Sequence, residues 1–246
     1  MRFFDLAGAA LITSGTVSAA GPVFLFTTFS TSSTAVRDEL IVSMDNVSRW
    51  SCANEPGVSE HAIFIPRGGS DTTTAYSIEQ YDDEAALQKH LATEIMTNLH
   101  NSSTWSKITT SSVQNFTVIN STISSFFRSD QFALVSDPYV VIQNLTYSNT
   151  GGMRHVIEHQ EEAIEYASKS ENGTLALGLY TDPTNNKRLW TLGAYESEVY
   201  KRDVHDKSAM AEELEEHTGG MRTSRREILL AKKGGFLFKG AAGGCV

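Results

Sequence analysis

The chain states one pattern twice, and this repeat limits its fold more than any other feature. Residues 50–57 (WSCANEPG) precede an apolar run to Ile65, a second run through Tyr76 and Ile78, and the segment 81–84 (YDDE). Residues 166–173 (YASKSENG) open the same order, followed by 175–180, 189–192 and 195–198 (YESE). Tyr166 follows Trp50 and Gly173 follows Gly57 by 116 positions, and Tyr195 follows Tyr81 by 114. A near-constant offset of this kind predicts a duplicated domain. Each unit would then span about 110 residues, an ordinary size for a small α+β domain.

Pro22 opens the apolar run Val23-Phe24-Leu25-Phe26, and Pro138 opens Tyr139-Val140-Val141-Ile142; both read as first strands. Val36, Leu40, Met44 and Val47, and later Met153, Val156, Ile157, Gln160, Ile164 and Ala167, recur at helical spacing. These helices are expected to stop at 55–57 (EPG) and 171–173 (ENG), where Gly or Asn supplies a left-handed residue. Second strands over 59–65 and 175–180 and third strands over 73–80 and 188–194 form hairpins. Leu87, Leu91, Ile95 and Leu99, and in the second unit Val199, Val204, Met210 and Leu214, predict second helices. Segments 113–127 and 227–238 close each unit with β structure.

The order is β-α-β-β-α-β, the ferredoxin-like plan. An antiparallel sheet with both helices on one face leaves its other face apolar and unpartnered. The predicted fold is therefore α+β, with two tandem ferredoxin-like domains at 22–130 and 138–239 packed sheet to sheet as a pseudo-dimer within the chain. Residues 1–21 form an N-terminal extension and 240–246 a flexible Gly-rich tail.

Hydrophobic residues make up 40% of the 246, enough for two small cores. A formal charge of −9 argues against a nucleic-acid partner, which needs clustered Lys and Arg. Cys52 and Cys245 have no metal-ligand spacing and predict neither a disulfide framework nor a zinc site. The first twenty residues carry an apolar run and small residues that fit a signal peptide, interrupted by Asp5. Asn-x-Ser/Thr triplets begin at Asn46, Asn101, Asn115, Asn120, Asn144 and Asn172. A cytoplasmic chain is favoured over a secreted one, and no apolar stretch is long enough to span a membrane.

Residues 53–57 (ANEPG) and 78–91 (IEQYDDEAALQKHL) resemble the antibiotic biosynthesis monooxygenase domain family, the dimeric α+β barrel proteins. The resemblance covers most of 22–130 and, more weakly, 138–239. Members usually pair as single domains, so this chain resembles a fused pair, with further pairing into a homodimer left open. The resemblance implies a cofactor-independent monooxygenase acting on a polyketide-derived anthrone- or quinol-like aromatic in secondary metabolism, with dioxygen as co-substrate and no metal. An isomerase or cyclase, or a non-catalytic small-molecule binding protein, is the alternative on the same fold. Deprotonated hydroxyaromatics reduce dioxygen themselves, so the protein need supply only a base, donors for the developing anion and a dry pocket. The sequence contains no GxGxxG, GxxxxGK[ST], HExxH or GxSxG motif.

His90 matches the His that follows the Tyr/Trp-Asp-Asp-Glu segment in the family and is the candidate base, at the edge of the second helix's apolar stripe. Glu79 shares a strand face with Tyr81 and would orient His90, while His61 and Tyr81 would donate to the oxyanion. The second unit carries His205 at the His90 place, but Gly193 for Glu79 and Leu177 for His61, so the first half is expected to be the equipped one. Asp203 and Asp206 suggest that His205 is solvated. Trp50, Tyr76, Trp190 and Tyr195 would wall an aromatic ligand if they are not core, with Asn54 and His205 completing the substrate set and Arg67 a weaker clamp. Haem-degrading relatives carry an axial His at the spacing of His100, although the stripe of Leu87, Leu91, Ile95 and Leu99 turns residue 100 away.

Overall fold

The computed structural model describes residues 21–118, 124–148, 151–239 and Cys245. Two sequence expectations, the signal-like segment before residue 21 and most of the Gly-rich tail, lie outside them. In chain order the elements are β1 (Val23–Thr31), α1 (Thr34–Asn54), β2 (Val58–Pro66), β3 (Thr74–Tyr81), α2 (Glu84–Leu91), α3 (Glu94–His100), β4 (Ile108–Val118), β5 (Ser125–Phe127) and α4 (Ser129–Phe132). They continue with β6 (Tyr139–Tyr147), α5 (Met153–Ser170), β7 (Thr174–Thr181), β8 (Arg188–Tyr195), α6 (Glu198–Tyr200), one π-helical turn (Lys201–His205), α7 (Ala209–Thr218) and β9 (Arg222–Phe236). The starts of β6, β7 and β8 fall 116, 116 and 114 residues after those of β1, β2 and β3.

Helix starts follow local chemistry. Ser33, Asp83, Thr93 and Ser208 each accept a bond from the backbone N–H three residues on, satisfying a donor that the first turn leaves orphaned. The helix ends depart from expectation. No non-glycine residue described has positive φ, and neither do Gly57 and Gly173. α1 and α5 stop instead because Glu55 and Glu171 turn toward extended conformations. The two glycines serve close packing: a Cβ would meet Ala86 Cβ at 2.9 Å from Gly57 and the Tyr200 ring at 2.5 Å from Gly173.

The expected second helix is two helices in each half. Thr93 sits at ψ 151, breaking the chain between α2 and α3, and its hydroxyl bonds the His90 carbonyl at 2.7 Å. Ser208 begins α7 in the same way after the π turn, and this leaves Val199 58% and Val204 45% exposed rather than on an apolar stripe.

Among the described residues nine antiparallel strands form one sheet in the order β4-β1-β3-β2-β9-β6-β8-β7-β5, and an extra β4–β7 pairing joins the two ends of its first eight strands. The expectation of two separate sheets laid face to face is corrected here. β9 pairs with β6 over Arg222–Leu230 and then with β2 over Leu230–Phe236, while Thr117 and Val118 of β4 pair with β7. Long closing strands thereby satisfy sheet edges that would otherwise be open. The apolar faces still meet each other: Phe24, Phe64, Ile78, Ile142, Leu192 and Leu230 pack in one buried cluster enclosed by strands of both halves. Alternate residues face outward to the helices, where Leu40, Met44 and Ala75 form one cluster and Val156, Ile164 and Leu189 another.

Candidate functional site

Outward alternation on β3 puts Ser77, Glu79 and Tyr81 beneath α1 and α2, and β2 adds His61. Glu79 accepts from the Tyr81 hydroxyl at 2.6 Å and the Ser77 hydroxyl at 2.7 Å. His90 is wholly buried, its Nδ1 2.7 Å from Glu55 Oε2, and its ring lies 5.5 Å from His61 and 5.4 Å from Tyr81 between centroids. A carboxylate can only accept, so a proton sits on His90 Nδ1, and Nε2 is the ring's second polar atom. That Nε2 and His61 Nδ1 are buried without a hydrogen-bond partner. The four residues expected to be catalytic are thus in one place, and His90 lies under the helices rather than at the edge of a stripe.

Electrostatics differ across this cluster. Burial lowers His61 to about 4, against the pull of Glu79, so its imidazole is neutral near pH 7. Burial pushes Glu79 upward, but the imidazoles and the Tyr81 and Ser77 hydrogen bonds bring it below its ordinary value. With His61 neutral, the two hydroxyl donors hold the anion. Tyr81, raised well above 10 by burial and the adjacent Glu79, stays a phenol.

The second half repeats part of this arrangement and opens it. His205 Nδ1 lies 2.7 Å from Glu171 Oε2, and its ring is 4.8 Å from that of Tyr195. The expectation of a solvated His205 is corrected: the π turn over Lys201–His205 rotates the side chain back toward the sheet, where it is only 20% exposed. A cavity of about 360 Å³ lies between the β6–β8 face and helices α5 and α7, lined by His205, Glu171, Tyr195, Leu177, Gly193 and Met210 among others. Leu177 and Gly193 stand where the first half has His61 and Glu79, and the missing side chain at Gly193 leaves space that Glu79 occupies in the first half. At Gly193 a Cβ would lie 2.7 Å from the Tyr195 hydroxyl. Gln143, Thr191, Arg222 and Arg225 give the cavity polar walls, with Arg222 held bidentately by Glu215 at 2.7 and 2.8 Å. Burial, with Asp206 and Glu171 nearby, raises Tyr195 well above 10 and keeps it a donor, while Glu171, raised by burial but bonded by His205 and Thr174, is net lowered and anionic.

Other expected residues lie elsewhere. Trp50 is 36% exposed on α1, and exposed Asn54 spends its amide on the Trp50 carbonyl at 2.8 Å, so neither walls a cavity described here. Tyr76 faces the interior, stacked on Phe26 at 5.4 Å, and Trp190 belongs to the same interior core. Arg67 makes a bidentate pair with Asp137 at 2.9 and 2.6 Å instead of meeting a substrate. His100 packs its ring against Trp105 at 4.6 Å and lines neither cavity. Sequence reasoning missed Glu55 and Glu171, although their 116-residue offset alongside the His pair was a readable signal. It also missed the Cys52–Cys245 disulfide, whose partners are 193 positions apart and come together only because the tail returns to α1.

No family model and no curated protein matches the chain. Solved structures do. A provisionally named monooxygenase of Lactobacillus acidophilus superposes with a TM-score of 0.69 at 16% identity, covering 89% of this chain and 99% of its own. One of Fusobacterium nucleatum gives 0.68 at 16%, covering 90% and 99%. An anthrone oxidase-like protein gives 0.55 at 11% (88% and 94%), and chlorite dismutase of Candidatus Nitrospira defluvii 0.56 at 13% (88% and 92%). The chain therefore shares the α+β fold of these proteins. Among the described residues no helix is long and apolar enough to cross a membrane.

Proposed function

We propose that the chain is a fused pair of antibiotic biosynthesis monooxygenase-like domains, residues 22–130 and 138–239, closing a dimeric α+β barrel within itself. The matching element offsets, the strands exchanged by β4 and β9, and fold neighbours provisionally named monooxygenases support this reading. It acts on an electron-rich, anthrone- or quinol-like hydroxyaromatic without a cofactor. The single observation that carries the assignment of the site is a cavity reached by a carboxylate-held imidazole, His205 on Glu171.

In this reading His205 Nε2 removes a proton from the substrate, Tyr195 donates to the resulting oxyanion, and the apolar walls exclude water. The carbanionic carbon then reduces dioxygen; an anthrone methylene plus O2 yields a quinone carbonyl plus water, which balances atoms and electrons. The first-half residues expected to be catalytic, His90, Glu79, His61 and Tyr81, act in this proposal as buried polar support, because none of them lines either cavity.

An oxygen electrode with 1,8-dihydroxyanthrone tests this. One O2 per quinone formed is expected, with kcat falling about a hundredfold in His205→Ala, the usual weight of a general base. Turnover of an enolisable substrate without O2 uptake would establish the isomerase reading instead, since the same pair serves proton transfer alone.

A further inference from the structure

We infer that the interior of the strand ring holds a second ligand site, built around Glu60, for an uncharged aromatic carbonyl compound. The inference is independent of the reaction proposed for the helix-side cavity. A cavity of about 350 Å³ opens on the inner face between β2, β5, β7 and β8, and Phe126, Phe127, Phe238, Tyr180 and Leu192 give it apolar and aromatic walls.

Glu60 is the anomaly in that lining. The pairing of β2 with β3 shifts register between Val58 and Glu60, and a bulge of this kind re-aims the side chain that follows it. β7 has the matching shift between Thr174 and Ala176, so the duplicate position of Glu60 is Ala176, which also lines the cavity. One half thus fills the place with a methyl group and the other with a carboxyl. Glu60 Oε2 is buried and has no hydrogen-bond partner. The residue as a whole is half-buried, and its unpaired buried oxygen is costly unless the carboxyl is neutral or meets a ligand.

Burial alone pushes Glu60 up to about 8, so at pH 7 it is chiefly the acid and donates a hydrogen bond. The titratable groups beside it do not supply a counter-charge. Tyr180 is held as a phenol by burial and by Glu60 itself, and the Lys239 ammonium is spent on the carbonyls of Glu55 and Ser51 at 2.9 and 3.4 Å. A carboxylic acid facing aromatic walls selects a flat molecule that presents a carbonyl acceptor and carries no charge.

The test uses 9-fluorenone and its carbonyl-free analogue fluorene, titrated calorimetrically into the full chain. Fluorenone is expected to bind at least tenfold tighter than fluorene at pH 6.5, and that preference is expected to vanish at pH 9.5, where Glu60 is ionised. Glu60→Gln, whose amide still donates, should keep the preference at both pH values. Ser125→Trp, at an exposed position of the lining, should abolish binding, while Leu214→Trp in the helix-side cavity should not. Absence of fluorenone binding, binding that survives Ser125→Trp, or an unchanged pH dependence in Glu60→Gln would each overturn the inference.

Discussion

His205 stands 2.7 Å from Glu171, and the same 2.7 Å separates His90 from Glu55 in the first half. In both places the carboxylate comes from the residue that ends a long helix and the imidazole from the helical segment after the third strand. One pair opens on a cavity and the other is sealed, His90 at 0% and Glu55 at 4% side-chain exposure. The same contact therefore has different energetic consequences in the two halves.

In the sealed pair, removing one partner strands the other. His90→Leu or Glu55→Leu should each cost about 3 kcal/mol or more, while the double replacement recovers part of that loss. Urea unfolding of the four proteins gives the coupling energy, and additive single losses would show that the contact contributes little.

In the open pair Glu171 positions His205 rather than touching substrate. Glu171→Gln should lower kcat about tenfold or more with KM nearly unchanged, and Glu171→Asp should restore part of the rate. A parallel rise in KM would indicate that the substitution merely collapses the cavity wall.

Much of this was legible beforehand. The 116-residue offset predicts the element order of both halves, and period-two alternation puts Glu79 beside Tyr81. Uninterrupted helical periodicity fails at Thr93 and Ser208, which as caps reset the phase of the helices that follow them, and at the π turn over Lys201–His205, which brings His205 inward. The exchange of β4 and β9 between halves was also invisible, because strand length and hydrophobicity do not say which edge a strand will meet. The first half holds more polar groups, yet it is the bare Gly193 of the second half that leaves room for a ligand.

That last point is testable by restoring what the second half has lost. Gly193→Glu adds a side chain at the cavity wall, its Cβ meeting the Tyr195 hydroxyl at 2.7 Å. Hydroxyanthrone turnover should fall to background while folding survives, with a stability loss of about 1–3 kcal/mol from overpacking. Retained activity in a folded variant would remove the cavity from the mechanism.

His61 predicts the acid limb of stability. Its folded value of about 4 lies below the ordinary 6.5, so the unfolded chain binds the proton more readily. The stabilising contribution is present above pH 6.5 and is lost as pH falls toward 4, by on the order of 3 kcal/mol. His61→Gln should flatten this part of the urea-midpoint profile; an equally steep fall would assign it to other groups.

The disulfide ties Cys245 of the tail to Cys52 in α1, beside Lys239, which bonds the carbonyls of Ser51 and Glu55. Closing so long a loop restricts the unfolded chain by at most about 5 kcal/mol in the chain-entropy account. Such a bond persists in an oxidising environment and is opened in a reducing one. Reduction, or Cys245→Ser, should lower the melting temperature while leaving turnover in the second-half cavity unchanged, since Cys52, Lys239 and Cys245 are not among the residues that line it. Thiol titration of chain isolated from its native source checks the bond itself: two free thiols per denatured chain would refute it, and none before reduction would support it.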